Sequence, residues 1–490
     1  MEQSGEKCAV FGIYGKGLDV SRLAFFGLFS LQHRGQESSG ITVGDGETLT
    51  THRGMGLVSA AYTEAHLLKL KGHVAIGHNR YSTSGDSMLS HAQPIVIDEV
   101  VDVQLDPHNE ESTGGIVALA HNGNLPSVEA LNNFLKDKGV ELDHRSDSEL
   151  MTEAIGVEMK AGKSLVESVK AVLPLFTGAY ALTIATPTEL IAVRDGCGIR
   201  PLCIGKINGG PVSTGVSQGG YAIASESCAF KTIGAEYMRE VGPGEMIIIN
   251  DSGLTSEQVL PANPKLDLFE FVYFARPDSM IAGKLVYDVR RNSGVELAKE
   301  YTVDADIVVP VPETAIPVAI GYSRESGIPL EMALVKNRYI HRTFIQPEQH
   351  SRDLGVKLKL APLPEVLKGK KVVIMDDSIV RGTTSRQLVQ AIFDAGASEV
   401  HLIISSPPVK FPDFYGIDTP KQKSLIASQK TVEEIREFLG ATSLHFLSLE
   451  GLIRATGLPA DQFSTSCFTG EYPIDLHERK GDFTYDVPKE

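Results

Sequence analysis

The chain has 490 residues, of which 42% are hydrophobic and 22% charged, and its formal net charge at pH 7 is −16. Single hydrophobic cores stop growing at roughly 250–300 residues, so we expect an ordinary globular protein with more than one domain. The sequence has no apolar run of the roughly 18–20 residues that a membrane span needs, and its negative charge disfavours nonspecific binding to nucleic acid.

The first half of the chain is predicted to consist mainly of short strands. Residues 1–7 are polar and lack the apolar core of a secretory signal. The predicted strands, separated by Gly, Asn, Asp and Pro, are residues 8–14, 73–81, 114–123, 179–186, 189–195 and 245–250. Helices are predicted at 20–35 and at 146–162, where the second begins with the capping sequence SDSE. The pattern indicates a sheet-rich layer covered by helices.

The second half alternates between strands and helices. Residues 251–268 are polar and contain prolines, which makes this segment the best candidate for a domain junction. Beyond it, apolar runs rich in β-branched residues at 304–313 and 371–380 each precede a helical pattern, and another run lies at 399–408. Apolar runs in which polar and apolar residues do not alternate are typical of parallel strands buried on both faces. We therefore predict an open α/β sheet.

The strongest single motif is KVVIMDDSIVRGTTSRQLV. Its apolar strand ends in Asp376 and Asp377, and Gly382, Thr383 and Thr384 then open a helix. Ligands of open α/β sheets bind beyond the carboxyl ends of the strands, and a helix N-terminus binds phosphate. Adjacent carboxylates can accept hydrogen bonds from two ribose hydroxyls or bind Mg²⁺. The motif therefore indicates a sugar-phosphate site, and the alternative is an acidic turn capped by Thr.

This motif resembles the phosphoribosyl pyrophosphate (PRPP) signature of the type I phosphoribosyltransferases. The resemblance implies that PRPP is bound by Lys336, Asp376, Asp377, Ser378, Arg381, Gly382, Thr383 and Thr384. It also implies that Mg²⁺ is bound by Thr314, Asp376 and Asp377.

Two further segments fit a PRPP site. Glu313 and Thr314 follow an apolar strand and precede a helix, which is either a pyrophosphate loop or an ordinary helix start. Between this loop and the motif lie the basic residues Lys336, Arg338, His341 and Arg342. They form either a solvated loop or a mobile lid over pyrophosphate, and because the chain as a whole has a net charge of −16 we favour the lid.

The first half is similar to the N-terminal-nucleophile glutamine amidotransferases. The segments that carry this similarity are CAVFGIYG, SLQHRGQESSGI, GHNRYST, LAHNGNL and SDSE. Together with the PRPP signature, EFVYFARPDS, VYDVRRNSG and CFTGEYP, they resemble the amidophosphoribosyltransferase family from Cys8 to about Pro473. The implied fold is α/β (α+β), with an N-terminal-nucleophile glutaminase sandwich joined to the open parallel sheet of a type I phosphoribosyltransferase.

The resemblance also implies a division of the chain. Residues 1–7 would be a leader that is removed, and residues 8–255 the glutamine amidotransferase domain. Residues 256–465 would form the phosphoribosyltransferase domain, followed by a C-terminal segment at 466–490.

Cys8 opens an apolar run directly after the polar leader. It is either a buried Cys behind a frayed terminus or, as the resemblance implies, the nucleophile that attacks the side-chain amide of glutamine to give a thioester. If residues 1–7 are removed, the new α-amino group, with a reference pKa of about 8, is a suitable base next to the thiol.

Four other residues match the glutamine site of the family. Arg80 would pair with the α-carboxylate of glutamine, although it could be a surface Arg. Asn122 and Gly123 would form the oxyanion hole, and a tight Asn-Gly hairpin turn is the structural alternative. Asp147 would accept the substrate ammonium, or it could be simply a helix cap.

The cysteines allow a prediction about cofactors. Five scattered cysteines indicate reduced thiols and a cytoplasmic location. Some members of the family carry an iron–sulfur cluster on four cysteines, and the matching positions here are Cys228, Asp413, Ser464 and Cys467. Cys197 and Cys203 lie six residues apart in an extended stretch, about 20 Å at ~3.3 Å per residue. We therefore predict Mg²⁺ but no iron–sulfur cluster.

The implied activity uses glutamine and PRPP as substrates. Ammonia from glutamine would pass through a shielded passage and displace pyrophosphate from PRPP, giving 5-phosphoribosylamine in the first step of purine biosynthesis. The family also implies a homo-oligomer that purine nucleotides inhibit. The alternatives are another glutamine amidotransferase, which would not need DDSIVRGTT, and a non-catalytic PRPP-sensing regulator, which would not need Cys8, Arg80 and Asn122.

Overall fold

The computed structural model describes residues 8–81, 88–101, 108–142, 145–209, 219–337, 360–416 and 421–488. The leader at 1–7 lies outside these residues. None of the helices in the described ranges combines the length and the apolarity that a membrane span requires.

The first half forms one large antiparallel sheet. Its strands are β1 (Ala9–Tyr14), β2 (Ser38–Gly44), β3 (Leu49–Met55), β4 (Val74–Arg80), β5 (Ile95–Val101), β6 (Asn109–Ser127), β7 (Thr177–Ala185), β8 (Leu190–Arg194), β9 (Cys203–Ile207), β10 (Gly220–Ala224), β11 (Glu236–Glu240), β12 (Glu245–Asn250) and β13 (Gly253–Gln258). Their order is β11-β9-β10-β1-β4-β2-β3-β6-β7-β8-β12-β13, and β5 pairs with β6.

This sheet curls over, so that non-neighbouring strands such as β1 and β7 pack face to face. Strand β1 shows why: Val10 belongs to the inner core with Ala181 of β7, whereas Phe11 and Ile13 point outward to the helices. Period-2 alternation thus gives each strand one face toward the inner core and one toward the helices.

Helices cover both outer faces of the curled sheet. They are α1 (Val20–Ser30), α2 (Val58–Ala61), α3 (Glu64–Lys69), α4 (Glu129–Asp137), α5 (Asp147–Lys160), α6 (Leu165–Val172) and α7 (Cys228–Thr232). Helices α1, α2, α3 and α7 contribute to one outer core and α4, α5 and α6 to the other. The predicted helix at 20–35 ends earlier, at Ser30, and continues as a 3₁₀ turn, Gln32–Arg34.

The second half contains a four-stranded parallel sheet of order β17-β20-β21-β22. Its strands and those of the small two-stranded sheets are β14 (Leu266–Asp267), β15 (Met280–Ile281), β16 (Lys284–Leu285), β17 (Ile307–Pro310), β18 (Leu334–Lys336), β19 (Leu360–Pro362), β20 (Lys371–Asp376), β21 (Glu399–Ile404), β22 (Ser443–Phe446) and β23 (Phe463–Ser464). The helices are α8 (Val286–Glu300), α9 (Ile316–Ser326), α10 (Pro364–Leu367), α11 (Thr383–Asp394), α12 (Val432–Leu439), α13 (Leu449–Thr456) and α14 (Ser466–Thr469).

Both faces of the parallel sheet are buried. Along β20, Val373 and Met375 belong to the core formed with α8 and α9, while Val372 and Ile374 belong to the core formed with α11 and α12. This two-sided burial explains the unbroken apolar runs in the sequence. The predicted fold class, a glutaminase sandwich plus an open parallel sheet, is confirmed.

The domain division remains a proposal. The predicted boundary after residue 255 falls inside β13, because this strand pairs with β12 as far as Gln258. We therefore propose that the junction lies between Gln258 and Leu266, where β14 begins. The C-terminal segment returns to the first half, since Leu476 packs in one apolar cluster with Ala179 and Ile199.

Candidate active sites

Cys8 precedes β1 at the centre of the antiparallel sheet. Strand β1 pairs with β4, with Ala9 opposite Asn79, so Cys8 lies beside Arg80 at the end of both strands. The Cys8 thiol is 3.8 Å from the carbonyl oxygen of Tyr81 and makes a weak hydrogen bond to it. A residue at the end of two central strands is held by the sheet on one side and open to a ligand on the other.

The surroundings of Cys8 keep its thiol protonated. Burial is the main cause that raises the pKa of Cys8, and the negative charges of Glu37 and Asp147 raise it further. The hydrogen bond to Tyr81 and the charge of Arg80 lower it; each has a smaller effect than burial but a larger one than the charge of Glu37 or Asp147. The thiol therefore needs a base before it can act as a nucleophile.

Arg80 and Glu37 form an incomplete ion pair near this thiol. Arg80 Nη1 is 3.8 Å from Glu37 Oε1. Neither Arg80 Nη1 nor the carboxylate oxygens of Glu37 have a hydrogen-bond partner among the described residues, although all are buried. A guanidinium with free donors is suited to a carboxylate ligand. Glu37 was not among the predicted site residues. The only feature of the sequence that points to Glu37 is its position inside HRGQESSG, a segment that carries the resemblance to the glutamine amidotransferases.

Asn122 and Gly123 lie within β6, opposite Ala181 and Tyr180 of β7. The alternative of a hairpin turn at Asn-Gly is wrong, because the strand continues to Ser127. The side chain of Asn122 is fully buried, yet neither its oxygen nor its nitrogen has a partner in the described part of the chain. A buried amide without partners is costly unless a ligand completes its hydrogen bonds.

Gly123 allows a close approach of two backbones. Its φ is 153°, and a Cβ atom at this position would lie 2.0 Å from the carbonyl oxygen of Ala179. From the second half of the chain, Gly416 also comes close, since a Cβ on Gly416 would lie 2.7 Å from the carbonyl carbon of Gly123. Asn124 fixes this contact by donating a 2.8 Å hydrogen bond to the Phe414 carbonyl.

Asp147 is the first residue of α5. The alternative that it is the helix cap is wrong, because Ser146 is the N-cap and accepts a hydrogen bond from the Glu149 N–H. Asp147 Oδ2 instead accepts a 3.0 Å hydrogen bond from Leu125 N. Since Leu125 follows the Asn122–Gly123 segment in β6, Asp147 ties the helix to the candidate oxyanion hole.

The second candidate site lies at the carboxyl edge of the parallel sheet. Strands β17 and β20 are neighbours with Pro310 opposite Met375. The loop carrying Thr314 and the two aspartates after β20 therefore leave the sheet at the same edge.

The two aspartates are buried and strongly perturbed. Asp376 Oδ1 accepts a 2.9 Å hydrogen bond from Asp377 N, and Asp377 Oδ1 accepts one of 2.9 Å from the Ser378 hydroxyl. Burial raises the pKa of both carboxyls, and the charge of Asp377 raises that of Asp376 further. Asp377 Oδ2 is buried without a partner among the described residues. Oxygen atoms in this state fit a hard cation such as Mg²⁺ or the hydroxyls of a ribose.

The helix after the aspartates begins at a glycine, without a side-chain cap. Gly382 is the N-cap of α11 with a φ of 80°, and the first turn of the helix contains no acidic residue. The N–H groups of this first turn, which includes Thr383 and Thr384, can thus receive a phosphate. Arg381 is exposed beside this turn.

Lys336 is the last residue of β18 and pairs with Leu360 of β19. The segment between these strands carries the other predicted lid residues, Arg338, His341 and Arg342, which lie outside the described residues.

A cavity of about 190 Å³ is lined by residues from both halves of the chain. On the side of the first half it is lined by His33 and Arg34, and on the other by Tyr273, Glu313 and Thr314. It therefore extends from the HRGQESSG segment to the predicted pyrophosphate loop.

A buried ion-pair network joins the two halves, and sequence analysis missed it. Arg34 pairs with Glu226 from the first half and donates a 2.6 Å hydrogen bond to Glu270 from the second. Arg200 donates 2.7 Å to Asp267 and 3.4 Å to Asp413. Asp413 is one of the positions that match a cluster ligand in the family, and here an Arg holds it.

Comparison with known proteins finds relatives that match nearly the whole chain. Residues 93–225 match a family described as a glutamine amidotransferase domain, and residues 282–406 match a family described as a phosphoribosyl transferase domain. A relative from Synechococcus elongatus named amidophosphoribosyltransferase is 47% identical, covering 96% of this chain and 92% of its own. A Bacillus subtilis relative of the same name is 44% identical, with coverages of 96% and 95%.

Solved structures agree with these relatives. One, described as the allosteric regulatory enzyme of purine biosynthesis, is 44% identical with a TM-score of 0.85, covering 96% of this chain and 97% of its own. Another, a glutamine PRPP amidotransferase from B. subtilis complexed with ADP and GMP, is 43% identical with a TM-score of 0.83, covering 98% and 99%. At this identity and coverage, the chain belongs to the amidophosphoribosyltransferase family.

Proposed function

We propose that this chain is a glutamine-dependent transferase that uses both candidate sites in one reaction. The first half releases ammonia from glutamine, and the second half uses it to displace pyrophosphate from PRPP, giving 5-phosphoribosylamine for purine biosynthesis. The observation that carries this proposal is the cavity that reaches from Arg34 in the first half of the chain to Thr314 in the predicted pyrophosphate loop. A passage between the two sites would keep ammonia from protonation in water.

In the first half, the thiol of Cys8 attacks the amide carbon of glutamine. Its raised pKa makes a nearby base necessary, and removal of residues 1–7 would supply one as the α-amino group of Cys8. The developing oxyanion is stabilised by the side-chain N–H of Asn122 and the backbone N–H of Gly123. Ammonia leaves with the proton, and water hydrolyses the thioester to glutamate.

The unpartnered polar groups near Cys8 support specific roles. Arg80 would bind the α-carboxylate of the substrate with its free Nη1. Asp147 and Glu37, whose charges both act on Cys8, would face the substrate ammonium.

In the second half, the parallel-sheet edge would hold PRPP. The N-terminus of α11 with Thr383 and Thr384 would bind the 5-phosphate, and Asp376 and Asp377 the ribose hydroxyls, with Ser378, Arg381 and Gly382 shaping the loop. The Thr314 loop and Lys336 would bind the pyrophosphate. Mg²⁺ held by Thr314 and the two aspartates would neutralise charge on the leaving pyrophosphate.

The remaining expectations are also proposals. Arg200 holds Asp413 where the family pattern has a cluster ligand, which supports the absence of an iron–sulfur cluster. A B. subtilis relative complexed with ADP and GMP supports purine nucleotides as inhibitors. We further propose a homo-oligomer in the cytoplasm.

The test is a coupled product assay with glutamine, PRPP and Mg²⁺. We expect glutamate and pyrophosphate in equal amounts, and intact-mass analysis of the active protein should give a chain that begins at Cys8. Glutamate without pyrophosphate would indicate a different glutamine amidotransferase. PRPP binding without either product would indicate a regulator.

A further inference from the structure

A group of metal-ligating side chains lies in the first half, outside both candidate sites. His52 of β3 and Glu111 of β6 are direct partners in the antiparallel register. Directly opposed residues project from the same face of a sheet. On this face α3 contributes His66, whose ring lies 4.1 Å from that of His52 between centroids. One ligand atom of each residue lies within 4.8 Å of the others.

The protonation of His52 is fixed by its own contacts. His52 is only 1% exposed, and its Nε2–H donates a 2.8 Å hydrogen bond to the carbonyl oxygen of Ala61. A carbonyl oxygen can only accept a hydrogen bond, so the ring nitrogen that faces it must be the donor. The proton is thus on Nε2, and Nδ1 presents a lone pair.

This lone pair faces a carboxylate. His52 Nδ1 is 3.8 Å from Glu111 Oε1 and has no hydrogen-bond partner among the described residues. The other carboxylate oxygen, Oε2, accepts a 2.6 Å hydrogen bond from Lys69. The His52 side chain is 2% exposed and that of Glu111 27%. Two acceptors that face each other are unfavourable, and a cation between them would relieve this.

We propose that His52, His66 and Glu111 bind a divalent transition metal ion of the zinc class. Two imidazole nitrogens and one carboxylate oxygen, with water as the fourth ligand, make a usual tetrahedral zinc set. The backbone carbonyl that accepts from His52 Nε2 is the partner that metal-binding histidines commonly have.

Binding would join α3 to the sheet. His66 Nδ1 now accepts only a long 3.3 Å hydrogen bond from the exposed Thr63 N–H, which water can replace. Lys69 competes with the metal for Glu111, because it is paired with the same carboxylate. Metal binding would thus stabilise the folded state by an amount that grows with the logarithm of the metal concentration above Kd.

The experiment uses untagged full-length protein from which metal has been removed with a chelator. The protein is kept in excess Mg²⁺, so that the proposed Mg²⁺ ligands of the PRPP site are occupied. Zn²⁺ affinity is measured by calorimetry, and Tm with and without Zn²⁺. We expect one site and a higher Tm. His66→Gln, which retains an acceptor for the helix cap, and Glu111→Gln should each lower the affinity by at least ~10-fold, as loss of even an outer partner does.

Lys69→Met should instead raise the affinity for Zn²⁺. The control is His477→Gln, which changes an exposed His outside the cluster and should leave the affinity for Zn²⁺ unchanged. Co²⁺ should give a visible spectrum without thiolate-to-metal charge transfer, since the ligands are nitrogen and oxygen. Unchanged affinity in His66→Gln and Glu111→Gln, or a thiolate band that disappears in Cys8→Ala, would overturn the proposal.

Discussion

Arg34 Nη2 donates a 2.6 Å hydrogen bond to Glu270 Oε2, and neither residue is more than 1% exposed. Arg34 also pairs with Glu226. Burial alone would raise the pKa of Glu226, but Arg34 and His33 outweigh it and hold this pKa well below its ordinary range. The guanidinium of Arg34 thus pairs with one carboxylate from each half of the chain.

We predict that Arg34→Met lowers the free energy of unfolding by about 3–5 kcal/mol, because two buried carboxylates lose their cation. Urea unfolding checks this. Arg239→Met, which breaks the exposed pair with Glu245, should cost at most about 1 kcal/mol. Equal effects of the two substitutions would contradict the assignment.

The same network predicts a pH dependence of stability. A carboxyl with a lowered pKa in the folded state stabilises above its unfolded pKa, and this stabilisation is lost as pH falls through the folded pKa. Arg34→Met raises the folded pKa of Glu226, so the variant should lose stability at a higher pH than the wild type during acid unfolding. Parallel acid-unfolding curves would show that Glu226 is not held by Arg34.

Asn122→Ala should reduce kcat for glutamine hydrolysis by about 10²–10³-fold, because one donor of the oxyanion hole is lost. KM for glutamine should change little, since Arg80 and Asp147 would still bind the substrate. Steady-state kinetics of glutamate release measures both. A rise in KM at unchanged kcat would place Asn122 in ground-state binding instead.

Substitutions should separate the activities of the two candidate sites. Cys8→Ala should abolish synthesis from glutamine but retain it with external ammonia, whereas Asp376→Asn together with Asp377→Asn should abolish both. Pyrophosphate release with each nitrogen source is the measurement. Loss of the ammonia-dependent activity in folded Cys8→Ala would argue against this division.

Alkylation of Cys8 should respond in opposite directions to its two charged neighbours. In the chain that retains residues 1–7, the rate should rise with pH toward a raised pKa. Glu37→Gln removes a negative charge that raises the pKa of Cys8 and should move the profile to lower pH, while Arg80→Gln should move it to higher pH. Peptide mapping of alkylated Cys8 across pH gives the profile, and shifts in the same direction would disprove the assignment.

Local sequence patterns predicted more of the second half than of the first. The apolar run before Asp376 and the Gly382 helix start are neighbours in the chain, so the phosphate-binding edge could be inferred directly. The pairing of Arg34 with Glu270 joins residues 236 positions apart. The periodicity of nearby residues in the sequence cannot indicate such a contact. The residues Asn122 and Gly123 are typical of a hairpin turn, yet they form no turn, because pairing with β7 keeps them in a continuous strand.

The approach of Gly416 to Gly123 has a consequence for how the chain can evolve. A side chain at Gly416 would push the backbone of Gly123 in the opposite half out of place, whereas one at Gly123 would push the backbone of Ala179 in its own half. Recombination that exchanged the second half for that of a distant homologue would therefore have to supply a glycine at position 416. Inheritance should keep the halves together, and substitutions in the 412–416 loop should be tolerated only together with changes around residues 122–124.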